Sequence, residues 1–408
     1  MNIDLRKLIS AIILPVIMLS ASYYFLPPLS KSLPHTLQSI LPYLPFIIVL
    51  IGMGLSWVFH HSREFNLFLL LSIIYISLSN YIWDPELKVD AQLAYLLLFS
   101  LIPLNYLLNF LLKERGILNQ FGLRRVVLLA IQLYCIIWIL EHPYPPIKEF
   151  LTLTYFKYDF LKHSPLSQPL IAAIAISGII ILLRSIQTGS ILISGIFSSL
   201  VSITIAMIFY QQPQLATLFI ILSGLFLIMS ITINAYSLAY LDELTNLPSR
   251  RALAQTISTL GKRYSMAMVD VDHFKKFNDK HGHDIGDQVL KKLAGQLRQV
   301  RGGKAFRYGG EEFTVVFPNK NLHEAKIFCD ELCKDVATNP FLLRNKKRPK
   351  TKKQNSNPKQ SESKALTITI SIGVAERSQD LITAEDVIKQ ADKALYKAKK
   401  NGRNQVAV

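Results

Sequence analysis

The stretch "FRYGGEEFTVVF", Phe306 to Phe317, sets two adjacent carboxylates, Glu311 and Glu312, directly after Gly309 and Gly310. It reads as strand, tight turn and strand, because both glycines accept a positive φ without penalty and let a ligand approach the backbone. Strand side chains alternate faces, so Glu311 and Glu312 are expected on opposite sides of a sheet, with only one free to join a given constellation. Further acids lie in "MVDVDHFKKFNDKHGHDIGD", Met268 to Asp287. There Asp270 ends an apolar strand, where a carboxylate is costly unless a cation pairs with it. If that strand runs beside the hairpin, Asp270 and one hairpin glutamate converge. Two carboxylates and a main-chain oxygen, completed by water and phosphate, suit Mg²⁺, a hard cation that prefers oxygen. An acid pair facing solvent beside Lys275 or Lys276 is the plain alternative, and composition alone does not separate the two.

The elements that would hold these residues alternate between helix and strand. Ser249 can cap a helix reaching about Lys262. "YSMAMVDV" (Tyr264 to Val271) is a buried strand, and "GDQVLKKLAGQLRQV" (Gly286 to Val300) has helical spacing at Val289, Leu293 and Leu297. Leu322 to Thr338 is a helix, Pro340 to Arg344 a short strand, and Ala365 to Glu376 a long β-branched one. Thr383 and Asp386 cap the last helix, which Asn401 and Gly402 end. Lys399 and Arg403, four apart, are expected at that helix's end. The expected fold class is α+β, a sheet with antiparallel pairs and helices on its faces, following an all-α membrane domain.

Half of the 408 residues are hydrophobic, and the excess lies in the first part. Apolar stretches of about 18 residues or more, the length that crosses ~30 Å of hydrocarbon, recur there between short charged punctuation. Eight spans are read, near Leu8–Leu26, Ile40–Phe59, Phe65–Trp83, Ala91–Leu112, Phe121–Leu140, Pro169–Leu183, Ser190–Tyr210 and Leu215–Tyr236. The first could instead be a signal peptide, which would leave seven. Arg6, Lys7, Arg63, Lys113, Arg115, Arg124, Arg125 and Arg184 fall on one side, which the positive-inside bias makes cytoplasmic. The expected organisation is a multi-span domain (1–236), a connecting helix (237–248) continuing the last span, and a catalytic domain (249–408). Cys135 lies in a span and Cys329 and Cys333 on one helix, and no disulfide is expected.

From Leu241 onward, five blocks resemble the GGDEF domain of diguanylate cyclases: "DELTNLPSRR", "DVDHFKKFNDKHGHDIGD", "GGEEF" as a variant of the name motif, "SIGVA" and "ADKALYKAKKNGRN". The resemblance implies a sheet like that of nucleotidyl cyclases and polymerase palms, holding one GTP per domain. It implies a homodimer in which each GTP attacks the other, giving cyclic di-GMP and two pyrophosphates. By position it implies Asp270, the carbonyl of Val271 and Glu311 as ligands of Mg²⁺, with Mn²⁺ as a substitute, and Glu311 as acceptor of the attacking hydroxyl's proton. Glu312 would support a second metal or the site's electrostatics, and Asn278 and Asp287 would read the guanine edge. Phosphates would be held by Lys275, by backbone near His273 and Phe274, by the close approach at Gly309 and Gly310, and by Lys399 and Arg403. The side chains of His273, His281 and His283 crowd one loop, where the family pattern implies no metal role and packing or loop bonding is expected. The implied location is the bacterial inner membrane, multi-pass, with this domain cytoplasmic.

Two departures from that family stand out. An Arg-x-x-Asp inhibitory site would begin nine residues ahead of Gly309, where this chain has Val300 and Gly303. Added cyclic di-GMP is therefore expected to leave initial rates unaffected through that site, and strong non-competitive inhibition would contradict this. The stretch Arg344 to Lys364 holds nine basic residues and one acid, about half of the chain's net charge of +17. Lacking apolar residues, it is expected to stay unpacked, either as a solvated loop or touching anionic lipid at ~1 kcal/mol per basic contact. Nucleic acid is the other polyanion such a loop could meet, but none is expected as a partner. A different class of function is a catalytically silent domain, a nucleotide receptor beneath a membrane sensor. The full set of implied catalytic residues and the missing Arg-x-x-Asp favour the enzyme.

Overall fold

The computed structural model describes residues 14–32, 34–83, 90–154, 166–343 and 364–408. The chain divides into two units after Ala235.

The first unit is helical: α1 (Leu14–Ser32), α2 (Leu44–Val58), α3 (Ser62–Ser77), α4 (Ala91–Leu111), α5 (Gln120–Glu141), the short α6 (Pro145–Thr152), α7 (Gln168–Thr188), α8 (Ile191–Ile208) and α9 (Pro213–Tyr240). Among the described residues, seven helical stretches are long and apolar enough to cross a membrane, the first running from His35 to Val58. They correspond to the second through eighth expected spans. The first expected span begins outside the described residues, and its described part belongs to α1. Small residues let α8 and α9 approach closely: a Cβ on Gly195 would lie 2.3 Å from that of Ser230. There the Ser199 and Ser223 hydroxyls pair at 2.7 Å, and Tyr106 joins Ser199 at 2.6 Å, so buried hydroxyls satisfy one another.

The second unit is built on β1 (Tyr264–Val271), all eight residues of which are buried. It is the middle of a five-stranded sheet, order β2-β3-β1-β6-β7, with β2 (Lys304–Gly309), β3 (Glu312–Pro318), β6 (Ile370–Glu376) and β7 (Val406–Ala407). All pairs are antiparallel except β6 with β7. Alternation sorts the strand onto two faces. Ala267, Val269 and Val271 pack with α12 (His283–Leu297) and α13 (Leu322–Thr338) on one face, together with α11 (Phe274–His281). Met266 and Met268 pack with α10 (Arg250–Ser258) and α14 (Ala384–Lys400) on the other. The sheet is thus covered on both faces, as the α+β expectation requires.

Several expectations need correction. The connecting helix ends at Tyr240, not Pro248. Asp242 accepts from the Thr245 amide at 2.8 Å and hydroxyl at 2.6 Å, and Asn246 takes φ 53°, so a side-chain-stapled turn replaces the helix. The expected strand from Ala365 is two, the short β5 (Lys364–Leu366) paired with β4 (Phe341–Leu343), and β6 in the main sheet. The basic stretch lies outside the described residues except for Lys364. Cys329 and Cys333 are buried on α13 and free.

Candidate active site

Asp270 falls on the same face as Met266 and Met268, and α14 covers that face. The last turn of α14 brings Lys399 Nζ to 2.8 Å from Asp270 Oδ1. On either side in the sheet Asp270 faces Glu312 of β3 and Ser371 of β6. Burial pushes the Asp270 carboxyl above its ordinary range, and the Lys399 ammonium only partly offsets this. Glu311 is raised too, by burial first and then by the charge of Asp270. Glu311 therefore sits within the field of Asp270. Main-chain carbonyls are also at hand at the end of β1, so the oxygen-rich set fits a hard divalent cation. A cationic group already rests against one member of that set, which shows the charge the site prefers. Among the described residues no group of three or more His, Cys, Asp or Glu side chains is arranged to hold a metal, so any metal there relies on two carboxylates plus backbone and substrate oxygens.

The sign of the pH effect follows. A carboxyl whose folded value exceeds its unfolded one binds more protons in the folded state across the window between them, so its contribution to stability falls as pH rises through that window. In melts without divalent cations, Asp270→Asn is expected to gain on the wild type as pH climbs from the ordinary aspartate range through the raised value. A pH-independent difference would show that the buried charge is not where the geometry puts it.

The hairpin differs in detail from expectation. Its central residues are Gly310 and Glu311, not the two glycines, and of the glycines only Gly310 has positive φ, at 49°. Gly309 ends β2 opposite Glu312 after a register shift at Tyr308. Glu311 thus projects from the turn itself, while Glu312 begins β3.

The stretch 273–283, which bears three histidines and was expected as a loop, is instead α11 and the first residue of α12, broken by Gly282 at φ 86°, so that the helix expected from Gly286 begins at His283. His273 precedes α11 with φ 57°, Phe274 is buried, and Lys275 is exposed on the first turn. Asn278 on α11 faces α12 at Gly286, where a Cβ would lie 1.9 Å from Asn278 Oδ1. That oxygen is buried and has no hydrogen-bond partner among the described residues, a cost on the order of 1–3 kcal/mol unless a ligand supplies the donor. Asp287, next in sequence after Gly286, is exposed at the same end of α12. Lys399 is on α14 but Arg403 is not: the helix ends at Lys400 and Arg403 lies in the following turn at φ 65°. Its charge still favours the ionised form of Asp270.

Sequence reasoning missed two positioning carboxylates. Asp272 accepts from Thr369 at 2.7 Å, Ser371 at 2.6 Å and the Asn404 amide at 3.0 Å, joining the end of β1 to β6 and to the turn bearing Arg403. Asp242 pairs with Arg307 Nη1 at 2.7 Å, while Arg307 Nε and Nη2 donate to the Gly310 carbonyl at 3.2 and 2.7 Å. Burial works against ionised Asp242, but hydrogen bonds from Thr245 and Arg307 outweigh it and hold the carboxyl below its usual range. One guanidinium thus fixes the turn that carries Glu311. The only signal in the sequence was an Arg two residues before the glycines and an unpaired-looking Asp far upstream.

The central strand thus ends in a buried carboxylate, flanked by an acidic hairpin and a basic helix end. Residues 239–405 match the family model described as diguanylate cyclase, GGDEF domain, and the second unit carries a GGDEF domain. Among curated proteins the chain is similar to the response regulator PleD of Caulobacter vibrioides, 34% identical over 42% of this chain and 37% of that protein. It is also similar to the diguanylate cyclase VdcA of Vibrio cholerae, 35% identical over 41% of this chain and 46% of that protein. The match therefore spans less than half of either relative. Among solved structures, the coiled coil and GGDEF domain of DgcB from Caulobacter crescentus in complex with c-di-GMP aligns at 30% identity, covering 44% of this chain and 91% of that one, with a TM-score of 0.37.

Proposed function

We propose that this chain is a membrane-bound diguanylate cyclase that condenses two GTP into cyclic di-GMP and releases two pyrophosphates. The observation that carries the reading is the placement of Asp270 at the end of the central strand, opposite Glu312 and next to the hairpin turn that bears Glu311, with Lys399 at 2.8 Å from its carboxylate. Asp270, Glu311 and the Val271 carbonyl would hold Mg²⁺ or Mn²⁺, with Glu312 supporting a second ion. The metal would supply charge neutralisation at the phosphates.

The remaining roles belong to side chains of this unit. The Asn278 carboxamide, whose buried oxygen has no partner among the described residues, and the Asp287 carboxylate read guanine, the carboxylate accepting from N1–H and the exocyclic amine, which adenine does not offer. Lys275, Lys399 and Arg403, with the backbone at His273, Phe274, Gly309 and Gly310, hold the triphosphate. Glu311 takes the proton of the 3′-hydroxyl as its oxygen bonds to the α-phosphorus of the other GTP and pyrophosphate leaves. One domain holds one nucleotide, so a homodimer is needed for both bonds to form. The seven apolar helices span the bacterial inner membrane with the GGDEF domain in the cytoplasm, as the loop charges argue.

Full-length protein in nanodiscs, given GTP and Mg²⁺, should yield cyclic di-GMP and pyrophosphate in a one-to-two ratio, and ATP should not substitute. Nucleotide binding without product in every dimeric preparation would instead support the silent receptor.

A further inference from the structure

The loop Leu112–Asn119, between α4 and α5, is held rigidly from inside. Glu114 accepts from the Ser62 amide at 2.9 Å, its hydroxyl at 2.6 Å and the Arg63 amide at 3.1 Å. Arg125, fully buried, donates to Ser62 Oγ at 2.6 Å and to the carbonyls of Leu112 and Lys113 at 3.0 and 3.1 Å. Asn119 caps α5 by accepting from the Phe121 and Gly122 amides.

On the outside of this frame two guanidiniums share one ring. Arg115 lies 4.7 Å and Arg124 5.5 Å from the centroid of Phe121. Both arginines are exposed, and among the described residues neither guanidinium has a hydrogen bond or an ion pair. Two like charges gathered on one aromatic ring without a carboxylate make a place that attracts an anion. The helical face below Arg124 continues at Val127, Leu128 and Ile131, 45%, 38% and 53% exposed, three, four and seven residues on and therefore one stripe. A cationic head above an apolar stripe complements one anionic phospholipid, charge to phosphate and stripe to acyl chain.

We propose that Arg115, Arg124 and Phe121 bind the phosphate of an anionic phospholipid whose acyl chain lies along Val127, Leu128 and Ile131. This rests on the reading that the apolar helices cross a bilayer. A second copy of the chain is a poorer occupant: a two-fold contact centred here would set the arginine pair against its own twin. Free phosphate would leave the apolar stripe unused.

The test uses the full chain in nanodiscs of equal phosphatidylcholine and phosphatidylglycerol, released and weighed by native mass spectrometry for retained lipid. Each arginine is expected to favour the anionic lipid about fivefold, the pair about 30-fold. Arg115→Gln with Arg124→Gln should lower that preference about 30-fold relative to the wild type, and Arg124→Gln alone about fivefold, which keeps the test readable if the double variant assembles poorly. Arg184→Gln, an exposed cation at the end of another helix, should change nothing. The basic stretch 344–364 is present throughout, so its contribution cancels. Equal retention of both lipids by the wild type, an unchanged preference in the double variant, or displacement of the lipid by glycerol phosphate would each overturn the site. A chain that stays soluble without detergent and enters no disc would overturn the membrane reading instead.

Discussion

Glu311→Ala should lower cyclic di-GMP formation by about 10³-fold or more, the scale of losing a preorganised electrostatic group at a reacting phosphate. The size follows from position. Glu311 sits in a two-residue turn whose backbone Arg307 grips at the Gly310 carbonyl, so its carboxylate is held in place before substrate arrives. In the proposed reaction it also answers for two roles, gripping the cation and accepting the proton, so no neighbour would replace it. Glu312 begins β3 opposite Asp270 in the strand register, and its alanine variant should cost less. The measurement is product formation by chromatography, with GTP binding followed separately by calorimetry. An alanine variant within tenfold of the wild type would remove Glu311 from the chemistry, even if GTP binding survived.

Gly373→Ala should be the most damaging single methyl in the second unit, at about 3 kcal/mol. A Cβ at Gly373 would meet the Leu395 nitrogen at 2.0 Å, the Ala391 carbonyl oxygen at 2.1 Å and the Ala394 carbonyl carbon at 2.7 Å. All three are backbone atoms of α14, so no side chain can turn aside and the helix itself must lift from β6. Lifting it exposes Ala391, Ala394, Leu395 and Ala398, now buried, and carries Lys399 away from Asp270. Activity and stability should therefore fall together. Gly295→Ala on α12 is the control: its Cβ would meet nothing within 4 Å, and a helix gains roughly 0.5–1 kcal/mol from that change. Equal melting of the Gly373 variant and the wild type would mean that α14 does not pack on β6 as closely as described.

Much of this protein is legible one residue at a time. Runs of 18 or more apolar residues mark buried helices or bilayer spans, and the short apolar runs "YSMAMVDV" and "FTVVF", rich in β-branched or aromatic residues and bounded by turn residues, mark buried strands, because both signals are local. The sequence also marked which chemistry to look for, since Asp270, Asn278, Asp287, Glu311 and Lys399 are the residue types that cations, guanine and phosphate require. Tertiary structure decided which of them meet. Lys399 is far from Asp270 in sequence, and only the covering of one sheet face by α14 brings them to 2.8 Å. The same holds for Arg307 and Asp242, 65 residues apart, and for Asp272, whose partners Thr369, Ser371 and Asn404 come from the far end of the unit. Local breaks escaped for a related reason: the helix past Tyr240 stops because the Asp242 side chain satisfies Thr245, a competition between side chain and backbone that periodicity does not register. Local pattern sets what each segment is, while long-range packing sets which charges share a low-dielectric corner, and the proposed chemistry depends on the second.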